Sequence, residues 1–319
     1  MSGRAPPTVD YLRGRRSDPR PYIPLIGSLA ASVNQIPAEI FLSNATQQAN
    51  AIQSAYRLFE PDAVVTGVDT TLVAEALGAD VEWNDDTERF ETADPVASPD
   101  DAADPTTAPE RGRLSTVTEV GERLATTLDD AAVIGVVPGP LTTFEATYGK
   151  EVALATSHTK PVRTAIGELG RAFGKAGVDA ILVYEEVERL GENADAADVT
   201  VETLEVLGNI TGFYDTPLMI APNGYAESTV DAVLDRASPA AVLLDTDDPA
   251  ARADEHPDVR VGGSITADLL AADPKEIRAM VAERTGDFLE SVFLASGRQL
   301  PSGVHPNALH AVRKGATES

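Results

Sequence analysis

Short apolar runs alternate along the chain with longer segments in which apolar residues recur every three or four positions. Eight runs are nearly continuous in apolar residues, as is typical of strands buried on both faces of a parallel sheet. They cover residues 22–27, 62–67, 131–137, 179–184, 217–221, 240–244, 259–263 and 291–295. Helical periodicity is found between them at 47–59, 117–128, 161–176, 201–214, 227–235 and 275–289. Eight such units in 319 residues predict an α/β fold with a single (β/α)₈ TIM barrel over residues 1–319.

One segment departs from this alternation. Residues 84–113 are acidic, rich in proline, threonine and alanine, and nearly free of large apolar side chains. Such a composition cannot build its own core, so we predict a solvated surface excursion between the second and third strands. A mobile lid over the mouth of the barrel is the alternative.

The charge balance excludes several kinds of partner. Against 51 acidic residues stand 25 basic ones, which gives a formal charge of −26. Nucleic acids and anionic membrane surfaces both need a basic footprint, so neither is an expected partner. The start of the chain lacks the apolar region of a signal peptide, and no apolar run is long enough to cross a membrane. We therefore expect a cytoplasmic protein.

The same composition resembles that of proteins from salt-in halophiles, since only five of the 25 basic residues are lysines. At molar salt the Debye length falls to about 3 Å, so repulsion between carboxylates is screened. We expect the midpoint of thermal unfolding to be higher in molar KCl than at low salt. An equal or higher midpoint at low salt would contradict this expectation.

The residues that most often carry metals and nucleophiles are scarce. The chain has no cysteine, which excludes disulfides, thiolate nucleophiles and zinc sites that need sulfur. The four histidines, at positions 158, 256, 305 and 310, do not have the spacing of a shared metal site and are interpreted as surface or capping residues. We therefore expect no metal and no cofactor.

In a barrel of this kind, the working residues come from the loops that follow the strands. The candidate site residues at these positions are Ser28, Asp69, Tyr184, Glu185, Asn223 and Arg298. Asp69 is the catalytic candidate, although a helix N-cap explains it equally well. Glu185 is followed by Glu186, a pair that suits acid–base chemistry but also arises by composition in so acidic a chain. Arg298 is the one base among the strand-end residues, so it either binds an anionic group or neutralises Asp69 or Glu185.

Several stretches resemble the uroporphyrinogen decarboxylase family, which includes the methylcobamide:coenzyme M methyltransferases. The start YLRGRRSDPR at 11–20 is similar to the family's opening, and Asp69 followed by EALG at 75–78 falls on its F-S-D…E-A-L-G pattern. The stretch VIGVVPGPLTTFEATYG at 133–149 resembles its third strand, and residues 258–307 resemble its last units. The ordered series spans most of the chain and independently implies the barrel.

The functional residues of the family are largely replaced in this sequence. The family's carboxylate-binding arginines would fall near Ser28, where residues 27–31 read GSLAA. The decarboxylase histidine falls on Gly297, and the methyltransferase zinc ligands fall on Ala221, Asn223 and Gly297. Of the family's functional residues that can be placed on this sequence, Asp69 is the one that is retained.

Three functions remain open at this point. The first is a decarboxylase-type lyase acting on a polycarboxylate such as a tetrapyrrole, for which Asp69 would bind pyrrole N–H groups. The second is a corrinoid-linked methyltransferase-like protein without the zinc site, and the third is a ligand-binding barrel without catalysis. In each case a small molecule is the expected partner, and a homodimer stays open.

Overall fold

A computed structural model of the chain describes residues 6–149, 151–193 and 195–318. The strands, in chain order, are β1 (Tyr22–Ile23), β2 (Ala63–Val65), β3 (Asp80–Asn84), β4 (Arg89–Asp94), β5 (Ala132–Pro138), β6 (Ala180–Glu186), β7 (Leu218–Asn223), β8 (Ala241–Leu243), β9 (Arg260–Ser264) and β10 (Val292–Ala295). Except for β3 and β4, they coincide with the eight predicted runs.

Helices connect the strands and cover the outside of the sheet. They are α1 (Pro7–Leu12), α2 (Ser28–Val33), α3 (Ala38–Ser43), α4 (Ala45–Phe59), α5 (Leu72–Leu77), α6 (Gly112–Thr127), α7 (Pro140–Tyr148), α8 (Thr156–Ala176), α9 (Ala196–Phe213), α10 (Glu227–Ala237), α11 (Pro249–Glu255), α12 (Ala267–Ala271), α13 (Pro274–Gly286) and α14 (Pro306–Ala316). Within the described ranges, no helix combines the length and apolarity that crossing a membrane requires.

The parallel strands form a nearly closed barrel, as predicted. Their hydrogen-bonded order is β1-β10-β9-β8-β7-β6-β5-β2. The remaining gap lies between β1 and β2, where the Asp62 amide donates to the Tyr22 carbonyl at 2.9 Å. The Asp62 carboxylate accepts from the Tyr22 amide at 2.8 Å and from Arg313 at 3.1 Å. These contacts join the amino ends of β1 and β2, and the strand order makes β10, β1 and β2 neighbours, so their carboxyl ends lie on one side of the mouth.

Small and large side chains together fill the barrel interior. Alanines such as Ala132, Ala180 and Ala241 face the axis beside Phe293, and all of these residues are buried. Helix α1 closes the lower end, since Tyr11 packs edge-on against Phe293 with ring centroids 5.7 Å apart. A second apolar layer lies between the sheet and the helices. Because the interior is packed, a ligand held by the barrel strands would lie at the upper mouth and not along the barrel axis.

The acidic segment 84–113 is more ordered than the sequence predicted. Strands β3 and β4 pair as an antiparallel hairpin, in which Trp83 faces Phe90 with ring centroids 5.1 Å apart. A 3₁₀ turn at Pro105–Glu110 and the first residues of α6 complete the segment. The hairpin forms because the aromatic pair and backbone pairing compensate for an acidic composition.

Candidate functional site

A cavity of about 350 Å³ opens at the mouth of the barrel. It is lined by residues from the ends of β1, β2, β6 and β10 and from the hairpin: Ser28, Leu42, Val68, Asp69, Thr70, Thr87, Glu88, Arg89, Phe90, Tyr184, Glu186, Arg298, Gln299, Leu300, Pro301 and Ser302. Four of the six predicted site residues, namely Ser28, Asp69, Tyr184 and Arg298, thus lie around one cavity. Its size is at the lower end of the range for small-molecule sites.

Arg298 and Arg89 bring positive charge to this cavity. The Arg298 guanidinium binds the Asp245 carboxylate at 3.0 Å, and its NH1 lies 4.0 Å from Glu186 Oε1. Arg89, from the start of β4, lies with its NH1 3.7 Å from Glu186 Oε2. Arg298 therefore neutralises neither Asp69 nor Glu185. Sequence reasoning missed Arg89, which belongs to the segment interpreted as a solvated excursion.

Asp69 lies at the cavity wall, but its carboxylate is fully engaged. One oxygen accepts from the Thr71 amide at 2.9 Å and from the Thr71 hydroxyl at 2.7 Å. The other forms an ion pair with Arg113, and both side chains are at least nine-tenths buried. Arg113 also binds Glu75 at 2.8 Å, and burial raises the pKa of the Glu75 carboxyl. Asp69 precedes α5 without being its N-cap, which is Thr71.

The buried ion pair supports the hairpin above it. The Arg113 guanidinium carbon lies 3.6 Å from the centre of the Phe90 ring, a cation–π contact in a largely desolvated place. On the other side of the hairpin, the Thr92 hydroxyl donates to the Ala146 carbonyl of α7 at 2.8 Å. The Ser302 hydroxyl donates to Glu88 at 3.2 Å near the hairpin turn. The hairpin is thus attached to the barrel through Phe90, Thr92 and Glu88.

The opposite wall of the cavity carries neutral hydrogen-bonding groups. Gln299 donates from its side-chain amide to the Ser28 hydroxyl at 2.8 Å. The Tyr184 side chain is buried, and desolvation together with the nearby Glu186 carboxylate raises its pKa to about 12. Its hydroxyl therefore keeps its proton at neutral pH and is a donor at the cavity wall.

Glu185 does not line the cavity, contrary to the expectation from sequence. Successive side chains of a strand point to opposite faces, so Tyr184 and Glu186 face the mouth while Glu185 faces the helices. Its fully buried carboxylate accepts from the Leu141 amide at 3.1 Å, the Thr142 amide at 2.9 Å and the Tyr225 hydroxyl at 2.7 Å. Burial nevertheless raises the pKa of this carboxyl above its usual range.

Asn223 lies in a second mouth cavity of about 410 Å³, on the far side of Arg298. Its amide donates to the Gly297 carbonyl at 2.9 Å. A Cβ atom at Gly297 would lie only 2.2 Å from the Asp245 backbone nitrogen and 2.3 Å from the Leu244 carbonyl carbon. The backbone therefore leaves no room for a side chain at this position.

The residues at positions 221, 223 and 297 do not fit the methyltransferase zinc site that the family resemblance implies. The aligned positions 221, 223 and 297 supply a methyl group, an amide already bonded to the backbone, and no side chain. A separate surface group, Asp231, Glu255 and His256, brings possible ligand atoms within 4.8 Å of one another. The guanidinium of Arg252 already binds both carboxylates of that group, which accounts for their proximity.

Comparison with known proteins supplies the wider context. The sequence profile described as Uroporphyrinogen decarboxylase (URO-D) matches residues 5–318. Among solved structures, a methyltransferase from Methanosarcina mazei is 16% identical and superimposes with a TM-score of 0.81 over 97% of each chain. A B12-independent methionine synthase from Shewanella sp. W3-18-1, solved with selenomethionine, is 13% identical, with a TM-score of 0.53 over 85% of this chain and 87% of that one. No curated protein matches the sequence. At these identities, the structural likeness defines the fold.

Proposed function

The chain belongs to the uroporphyrinogen decarboxylase family, and on that premise we propose that it is a divergent, decarboxylase-type lyase for a carboxylate-bearing small molecule. The observation that carries the proposal is the position of Arg298, whose half-exposed guanidinium lines the mouth cavity. A guanidinium matches a carboxylate with two parallel hydrogen bonds, and it stays charged at every physiological pH. Arg298 would hold a carboxylate that does not react.

Besides binding, the chemistry requires a substrate group that delocalises the electron pair left by carbon dioxide, and it requires a proton. When a carboxylate leaves as carbon dioxide, its electron pair stays on the carbon, and a proton takes its place. Tyr184 is the candidate donor, because its hydroxyl lines the cavity and remains protonated at neutral pH. Asp69 has both oxygens engaged, so its proposed role changes from catalysis to positioning Arg113.

The size of the ligand is limited by Arg298, which lines both mouth cavities. A compact polycarboxylate fits the first cavity by itself. A tetrapyrrole has four carboxylated rings, so it would have to occupy both cavities and displace the Arg298 side chain. The geometry therefore favours a substrate smaller than a tetrapyrrole.

A methyltransferase-like function is the second candidate, favoured by the TM-score of 0.81 to the Methanosarcina mazei methyltransferase. It would have to proceed without the zinc site, for which the residues at 221, 223 and 297 are unsuited. Release of carbon dioxide from a bound acid supports the first candidate, and methyl transfer supports the second. A protein that binds ligand and does neither is the non-catalytic barrel.

Binding is tested by thermal melts in molar KCl with citrate, a compact polycarboxylate, and with triethyl citrate, its uncharged ester. We expect citrate alone to raise the midpoint, since a ligand at about 100 times its Kd adds about 2.7 kcal/mol to stability. Arg298→Ala should abolish this shift. Its own melt should change little, because the half-exposed pair with Asp245 contributes less than about 1 kcal/mol. An unchanged citrate shift in Arg298→Ala would remove the assignment.

A further inference from the structure

We infer that Arg89 and Arg298 form a two-armed clamp for a ligand carboxylate, and that Glu186 is an internal carboxylate that occupies the clamp until the ligand displaces it. The inference rests on the proposed function, which supplies the carboxylate ligand and the role of Arg298. It adds a specificity-determining residue, Arg89, from a hairpin outside the barrel, and a competing group, Glu186, at the end of β6.

The first argument is the geometry of the bridge. The two carboxylate oxygens of Glu186 point to different arginines, with Oε2 3.7 Å from Arg89 NH1 and Oε1 4.0 Å from Arg298 NH1. Charge-assisted hydrogen bonds between guanidinium and carboxylate are about 2.7–2.9 Å long. Glu186 is thus between the two cations but bonded closely to neither.

The second argument is that Arg89, unlike many arginines of this chain, has no close carboxylate partner in the part of the chain that the structure describes. Elsewhere on the surface, half-exposed Arg236 binds Asp198 at 2.6 Å, and Arg284 binds Asp247 at 2.7 Å. Within the described ranges, Arg20 and Arg260 also lack a close carboxylate, but each donates to a backbone carbonyl, at 2.8 and 3.2 Å respectively. Among the described residues, Arg89 is within ion-pair distance of Glu186 alone. An incoming carboxylate would complete the coordination that Glu186 leaves unfinished.

The third argument is that the backbone that carries Arg89 is held in place before a ligand arrives. The next residue, Phe90, packs on the buried Arg113 guanidinium, and Thr92 is hydrogen-bonded to α7. The preceding residue, Glu88, accepts from Ser302 in the loop after β10. A cation carried on a backbone held in this way loses less freedom on binding than one on an unattached loop.

The clamp also indicates how a ligand would be oriented. The carboxylate would lie between the two guanidinium groups, and the remainder of the molecule would extend toward Ser28, Gln299 and Tyr184. Those groups are uncharged, so they suit hydroxyl or amine substituents. The ligand class is therefore a small acid with polar substituents.

The test measures citrate affinity in molar KCl for the full chain, for the Arg298→Ala variant described above and for three further variants. Arg89→Gln should weaken citrate binding about tenfold, because one charged hydrogen-bond donor is lost. Glu186→Gln should strengthen it about fivefold, because the competing carboxylate is removed while the shape of the side chain is kept. Glu82→Gln is the matched control for Glu186→Gln: it removes the same charge at an exposed position of β3, outside the cavity, and should leave affinity unchanged.

The outcomes separate the inference from the function on which it rests. Tighter binding in Glu186→Gln together with weaker binding in Arg89→Gln supports the clamp. Citrate binding that needs Arg298 but is unaffected in Arg89→Gln and Glu186→Gln overturns the clamp and leaves the proposed function standing. An equal gain in Glu82→Gln also overturns it, since the effect would then be one of overall charge. Failure of the unaltered protein to bind citrate overturns both.

Discussion

Replacing Glu185 by alanine is expected to lower the free energy of unfolding by about 4 kcal/mol. Its buried carboxylate accepts from the amides of Leu141 and Thr142, in the first turn of α7, and from the Tyr225 hydroxyl. The N-cap of α7 is Gly139, which has no side chain to bind these amides, so β6 supplies the cap instead. Removing it leaves several buried donors without an acceptor and opens a cavity.

Denaturant titration in molar KCl measures this loss, and two variants serve as controls. Glu185→Gln keeps one acceptor oxygen but turns an amide NH₂ toward N–H donors, so we expect a loss of about 2 kcal/mol. Glu186→Gln removes the same charge one position later, where the side chain is part-exposed, and should cost less than about 1 kcal/mol. A loss below about 1 kcal/mol in Glu185→Ala would show that α7 does not depend on this cap.

The close approach of the Glu185 side chain of β6 to the start of α7 depends on Gly139. A Cβ atom there would lie 2.1 Å from the carboxyl carbon of Glu185. Any larger residue would have to expel the Glu185 side chain from its place under α7. The PGP sequence at 138–140 is thus explained locally: the glycine admits the carboxylate, and the following proline starts the helix where no amide is needed.

The raised pKa of the Glu185 carboxyl should make the stability of the folded protein depend on pH. Because burial raises the pKa in the folded state, the native protein holds a proton that the unfolded chain has already released. Stability should then fall as pH rises from the ordinary carboxyl pKa of about 4.3 through the raised value. Glu75 and Asp179 are shifted in the same direction by burial. Subtracting the profile of Glu185→Gln from that of the unaltered protein isolates the contribution of Glu185.

The barrel was predictable because its strands are buried on both faces. Continuous apolar runs such as 131–137 and 179–184 have no other common interpretation when helical segments separate them. The start of α13 is also determined locally, since Asp273 precedes Pro274 and its carboxylate accepts from the Lys275 amide at 2.9 Å. These signals are local, so one sequence suffices to interpret them.

The site was less predictable because it depends on which way the side chains point along the strands. It also depends on a segment outside the barrel. Alternation along β6 would have placed Glu186, rather than Glu185, at the mouth once Tyr184 was assigned there. The hairpin had a signal in the aromatic residues Trp83 and Phe90, which flank the polar turn NDDTER, but the acidic composition of the segment concealed it. The pairing of Asp69 with Arg113 joins residues 44 positions apart, and only the folded chain shows it.

Asp69→Asn is expected to destabilise the protein by about 3 kcal/mol and to weaken citrate binding as well. The substitution leaves the buried Arg113 guanidinium with Glu75 as its one carboxylate partner. Since Phe90 packs on that guanidinium, the hairpin that carries Arg89 loses part of its support. Denaturant titration and citrate melts measure the two effects. A catalytic Asp69 would give a different result: turnover would fall while stability and affinity stayed close to those of the unaltered protein.

A double-mutant cycle with Arg113→Met separates these roles further. If Asp69 acts by holding Arg113, replacing both removes the unpaired charge, and the double variant should be more stable than the sum of the single losses predicts by about 2 kcal/mol. Glu75 loses its Arg113 partner in both proteins that carry Arg113→Met, so this loss cancels when all four proteins are measured at a pH where Glu75 is ionised. Additive losses would show that the two side chains act independently. In that case we would assign Asp69 to ligand contact at the mouth of the barrel and not to positioning Arg113.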